Sequence, residues 1–187
     1  MAGRTASFAA AAVIACIAAA CDGASMGSTV DYDTATATVA ALVSAVAEND
    51  QAKVDRLTTR PGAVGGPPAP STVADPFLDD PPGAMNDITN LRRYFNKVGK
   101  LALYEWDADF HALSVKFACA PPDGPRCINR LYFTFKREMG DETRVDMMIG
   151  VRNNPAWAKL WADLPNAHGL EPAAPAPAIE KAFAQFH

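Results

Sequence analysis

The sequence predicts an α+β fold: N-terminal helices packed on a four-stranded antiparallel meander, with short helices at the C-terminal end. Two observations carry this. Apolar residues recur at helical spacing in separate stretches before residue 99, and four β-rich segments then follow one another between 101 and 151. The connections between those segments are only a few residues long, which suits antiparallel neighbours, because parallel strands need a crossover of a dozen or more residues.

The first element is a leader over 1–20. Arg4 supplies a positive start, residues 8–20 are almost purely apolar, and three alanines precede Cys21. This is the pattern of a secretory signal, and the apolar run falls short of the ~20 residues a membrane-spanning helix needs. The stretch Ala18-Ala19-Ala20-Cys21 resembles the lipobox of bacterial lipoproteins. That resemblance implies that Cys21 is lipidated, by palmitate among other chains, and becomes the mature N-terminus on the periplasmic side of a membrane. Two alternatives stay open: an ordinary secretory signal cut nearby, and a box ending at Cys16 after Val13-Ile14-Ala15. With Cys16 lost in the leader and Cys21 taken by lipid, Cys119 and Cys127 remain as a pair in an oxidising compartment, where a disulfide is expected.

Residues 21–29 are small and polar and read as a tether, followed by a single domain over 30–164. Its first helix carries Val39, Leu42, Val43 and Val46 on one stripe and can end at Asn49 in a left-handed turn. A second, short helix starts from the cap Asp50, with Val54 and Leu57 on its buried side. Residues 61–85 are a proline-rich loop holding seven of the chain's 15 prolines, and no regular structure is expected there. The segment is a surface loop or a lid anchored by Phe77 and Leu78. Asp87 then caps a third helix with the stripe Ile88, Leu91, Phe95 and Val98, stopped by Gly99.

The strands are expected at 101–106, 112–119, 128–137 and 143–151. If Cys119 faces Cys127, antiparallel pairing sets Val115 opposite Leu131 and Leu113 opposite Phe133, all on one face because side chains alternate. Extending the parity adds Leu101, Leu103, Val145, Met147 and Ile149 to a core face of odd-numbered residues.

The even-numbered face is the candidate interaction surface: Tyr104, Trp106, Lys116, Arg130, Tyr132, Lys136, Arg144 and Asp146. It would oppose Lys116 to Arg130 and Lys136 to Arg144, and like charges directly opposed are unfavourable. A solvated outer face is one reading. An anionic ligand, an acidic envelope partner or a second copy of the sheet relieving the repulsion is the other.

Beyond the sheet, Asn154-Pro155 opens a helix carrying Trp157, Leu160, Trp161 and Leu164. The tail, 165–187, is rich in proline and alanine and ends in a short stripe of Ile179, Ala182, Phe183 and Phe186. That stripe either docks on the body or serves as a peptide for a partner groove.

The net charge is −4 and no basic run is present, so nucleic acid is not an expected partner. No phosphate loop or nucleophile elbow occurs, and His111, His168 and His187 lack metal-ligand spacing, so neither a cofactor nor a metal is expected. Asp107-Ala108-Asp109 reads as turn chemistry. The order of two or three helices and then four strands over 30–151 resembles the cone-shaped nuclear transport factor 2-like superfamily. The resemblance implies a pocket between helices and sheet, which Tyr94 or Glu105 would reach by position. The functional expectation is a membrane-tethered envelope protein with a noncatalytic domain for a ligand or partner. The alternative is a small-molecule isomerase or hydrolase using Glu105 as a buried carboxylate, its pKa raised by an apolar pocket.

Overall fold

The computed structural model describes residues 30–59, 72–74, 83–84, 86–120, 127–137, 142–153 and 169–187. Two of its helices start at the expected caps, Asp50 and Asp87, and the first starts at Asp31. Asp31 accepts from the Thr34 amide at 2.7 Å and opens α1 (Tyr32–Glu48), which Asn49 closes with a φ of 62°. Val39, Leu42, Val43 and Val46 are all buried. Asp50 caps α2 (Gln51–Leu57) by accepting from the Lys53 amide at 3.0 Å. Asp87 caps α3 (Ile88–Phe95) through the amides of Thr89 and Asn90. This helix ends earlier than its stripe implies: Val98 has left it to form a parallel bridge with Ile128. Gly99 serves a close approach rather than a cap, since a Cβ there would lie 2.3 Å from the Ala118 carbonyl oxygen.

The meander is present as β3 (Lys100–Asp107), β4 (Ala112–Ala118), β5 (Ile128–Arg137) and β6 (Thr143–Arg152). Further strands extend it at both edges. The proline-rich segment, expected to be irregular, contributes β1 (Thr72–Ala74), parallel to β6, and β2 (Gly83–Ala84), antiparallel to β1. The physical reason is that β6 would otherwise present an open row of backbone donors and acceptors, and Thr72–Ala74 is a proline-free window able to pair with it. At the opposite edge, β7 (Glu171–Pro172) pairs with β3, giving the order β2-β1-β6-β5-β4-β3-β7.

The central hairpin has the expected register, Leu113 opposite Phe133 and Val115 opposite Leu131, continued by a disulfide between Cys119 and Cys127 with Cα atoms 5.9 Å apart. The bridge closes a separation of 8 residues, for which chain entropy gives about 2.5 kcal/mol. Reduction, or Cys119→Ser with Cys127→Ser, should therefore lower the unfolding free energy by about that amount in urea titrations, leaving the fold intact.

The outer strands depart from simple parity. A register shift between Leu101 and Leu103 turns Tyr104 into the core at 3% exposure and leaves Leu103 at 40%. A second shift, where Thr134 pairs with Met147 but Phe135 with Val145, puts Met148 in the core in place of Met147 and Ile149. One extra residue in a strand inverts the facing of everything beyond it. Tyr104, Trp106 and Met148 thus belong to the helix side, and Glu105 to the outer face with Lys116 and Arg130, the reverse of the expectation for each. Gly150 sits under Tyr94, where a Cβ would lie 3.0 Å from the ring.

The tail is integral to the core. After β7 the chain forms α4 (Pro177–Phe183) and a single 3₁₀ turn (Ala184–Phe186) against α1. Phe183 packs edge-on to Phe95 and Phe117 at 5.4 and 5.2 Å between centroids, and Phe186 lies 5.5 Å from Phe95. Tyr32 and Tyr104 donate their hydroxyls to the carbonyls of Ala174 and Ala176. The terminal stripe therefore docks on the body. The leader, Cys21, the tether and the helix expected at 154–164 lie outside the described residues. Among the described residues no helix is long and apolar enough to cross a membrane.

Tyr104 links this packing to pH. Burial, then the charge of Glu180 and neighbouring Tyr32, hold its phenol well above the ordinary tyrosine range. The folded state keeps this proton when the unfolded chain releases it near pH ~10, so its contribution is complete below that pH and is lost as pH rises beyond it. Stability should fall between pH 9 and 11 by a smaller increment in Tyr104→Phe than in the parent, as followed by urea unfolding across that range.

Candidate functional site

The outer face of the meander concentrates charge. Glu105, 12% exposed, accepts from the Arg130 guanidinium at 2.7 Å and from Ser114 Oγ at 3.1 Å, and forms a close ion pair with the Lys116 ammonium. Arg130 also donates to Ser114 Oγ at 2.9 Å. The expected juxtaposition of Lys116 with Arg130 is present, and the β3 register shift delivers the carboxylate that neutralises it. Burial draws the Arg130 guanidinium below its usual value, and the Glu105 charge opposes that shift. Lys136 pairs opposite Arg144, which reaches Glu142 at 3.0 Å.

The eight residues expected to form one interaction face are therefore divided. Lys116, Arg130, Lys136 and Arg144 share the outer side; Tyr132 shares it but is buried. Asp146 is the extra residue of the β6 shift and accepts from Thr59 Oγ1 at 2.8 Å. Tyr104 is inside the core, and Trp106 lines a cleft on the other side. The pocket that the cone-shaped resemblance would place between helices and sheet is packed at its centre by Phe95, Phe117 and Phe183. Tyr94 covers Gly150 there, and Glu105 lies on the opposite face of the sheet.

The cleft has a volume of about 330 Å³ and lies where β7 joins the end of β3. Tyr32 and Trp106 form one side, edge to face at 5.9 Å between centroids and 69° between planes. Asp107, the last residue of β3, is 1% exposed. Its Oδ1 accepts from the amides of Asp109 and Phe110, both at 3.0 Å, which is the turn chemistry its sequence implies. Its buried Oδ2 has no hydrogen-bond partner. That atom lies against Gly169, another lining residue, where a Cβ would approach to 2.3 Å. Asp109 and Glu171 add two exposed carboxylates to the lining.

The chain matches no family model, no curated protein and no solved structure. What the cleft can do must be read from its own chemistry. Among the described residues no group of three or more His, Cys, Asp or Glu side chains is placed to hold a metal ion. Sequence reasoning missed this site, since Tyr32, Asp107, Gly169 and Glu171 come from three distant segments. The one local signal was the Asp107-Ala108-Asp109 turn beside Trp106. A second, broader groove of about 490 Å³ runs between α1 and α4, with Ser44, Glu48, Lys53, Lys181 and Gln185 on its walls.

Proposed function

We propose that the chain is a lipid-anchored protein of the bacterial cell envelope whose α+β domain faces the periplasm and binds a small ligand without transforming it. The observation that carries the binding reading is the half-open cleft beside Trp106, where a buried Asp107 carboxylate oxygen lacks a donor. Such a group is costly in isolation, and a buried unsatisfied atom in a native structure calls for a partner. The address rests on the leader and on Cys21, and a bridge between Cys119 and Cys127 suits an oxidising compartment. Against the isomerase or hydrolase alternative stands the state of Glu105, whose carboxylate is engaged by Lys116, Arg130 and Ser114 rather than poised in an apolar pocket.

Two measurements test the reading. Intact mass of protein extracted from membranes should give an N-terminus at Cys21 carrying acyl chains; a soluble product starting elsewhere removes the anchor. A thermal-shift screen of charged and neutral small molecules should find ligands that stabilise the parent but not a Trp106→Leu variant. Turnover of any such ligand would return the enzyme reading.

A further inference from the structure

We propose that the cleft between β3, β7 and the start of α1 binds an alkylated ammonium group, taken between the rings of Tyr32 and Trp106 and the carboxylates of Asp107, Asp109 and Glu171. The inference rests on the binding reading above and names the chemical class of the ligand.

The sign of the charge comes first. Among the described residues that line the cleft, the charged ones are Asp107, Asp109 and Glu171, with no Lys, Arg or His. Carboxylates gathered around a recess with low-dielectric walls focus a negative potential into it. The N-terminal end of α1, beside Tyr32, would bring partial positive charge, but Asp31 and Asp33 flank Tyr32 and offset it. Arg137 acts on Asp31 rather than forming part of the lining. An anionic ligand would be repelled here.

The kind of cation comes next. A bare metal ion needs several convergent oxygen ligands. Asp107 commits Oδ1 to two backbone amides, and its Oδ2 is buried against Gly169, so this carboxylate offers no free pair of oxygens. An alkylated ammonium needs neither coordination nor a hydrogen bond. It compensates the unpartnered Oδ2 through the field alone, while aromatic faces attract it by their quadrupole. The remaining wall, Ala108, Pro172 and Ala173, is apolar and matches methyl groups better than a hydrated ion. The volume of about 330 Å³ sits at the small end of the ~300–1,000 Å³ usual for ligand sites.

The experiment uses the full chain in detergent and three probes: choline, its neutral isostere 3,3-dimethyl-1-butanol, and phosphocholine. Calorimetry should give saturable binding of choline with one site per chain, and binding of the neutral isostere weaker by about tenfold or more. Glu171→Gln, at an exposed position that leaves folding unaffected, and Trp106→Leu should each weaken choline by about tenfold. Choline binding tighter than phosphocholine assigns the group to a free small quaternary ammonium, and the reverse assigns it to a lipid headgroup; either supports the proposal. Equal binding of the neutral isostere, no saturation by choline, or choline affinity unchanged in both variants would overturn it. A ligand of another charge type that saturates the parent when choline does not would remove the ammonium assignment and leave the binding reading standing.

Discussion

Replacing Phe183 with alanine should cost about 3 to 5 kcal/mol of unfolding free energy, the range for removing a fully buried aromatic side chain. Phe183 is 1% exposed and its ring meets Phe95 from α3 and Phe117 from β4. Deleting it removes the one side chain of α4 that touches both a helix and the sheet through aromatic edges, so the hole left behind is walled by both and cannot collapse easily. Phe186 supplies the control. It is only half-buried and, among the described residues, its ring meets Phe95 alone, so Phe186→Ala should cost roughly 1 kcal/mol. Urea unfolding of the two variants separates the cases. A Phe183→Ala cost below that of Phe186→Ala would mean that the C-terminal segment is a loosely held tail and not part of the core.

That segment shows what the sequence could and could not convey. The spacing of Ile179, Ala182, Phe183 and Phe186 announced an apolar stripe, but a stripe is equally suited to a partner's groove. What settles the matter is tertiary: Tyr32 and Tyr104 hold the carbonyls of Ala174 and Ala176, and no local rule foretells bonds across 142 or 72 residues. The helix caps Asp31, Asp50 and Asp87 belong to short-range chemistry, and two of the three were readable for that reason. The central hairpin was readable because the Cys119–Cys127 bridge pins its parity. The outer strands lacked such a pin. Their bulges are chosen by how β3 and β6 meet their neighbours, and each bulge silently exchanges the two faces. The candidate site inherits that error: Trp106 was placed among the outer cations, and the shift returns it to the edge where Tyr32, Gly169 and Glu171 arrive from elsewhere.

The same shift sets up the second large effect. Glu105→Gln should destabilise the fold by about 3 kcal/mol, because it removes the carboxylate charge that the poorly solvated Arg130 guanidinium and the opposed Lys116 ammonium share. The two cations are not equivalent. Arg130 is 13% exposed at its side chain and shares Ser114 with the acid, whereas Lys116 is 32% exposed and partly screened by water. Lys116→Met should therefore cost less than ~1 kcal/mol alone, near the value of a surface pair. Combined with Glu105→Gln it should recover part of the loss, because removing one like charge relieves the other. A double-mutant cycle in urea measures this directly. Recovery would establish that Glu105 stands at this position to reconcile two opposed cations across β4 and β5. If Glu105→Gln proved neutral while abolishing a ligand response, the acid would instead serve a site on the outer face, and the cleft would lose its place as the leading binding surface.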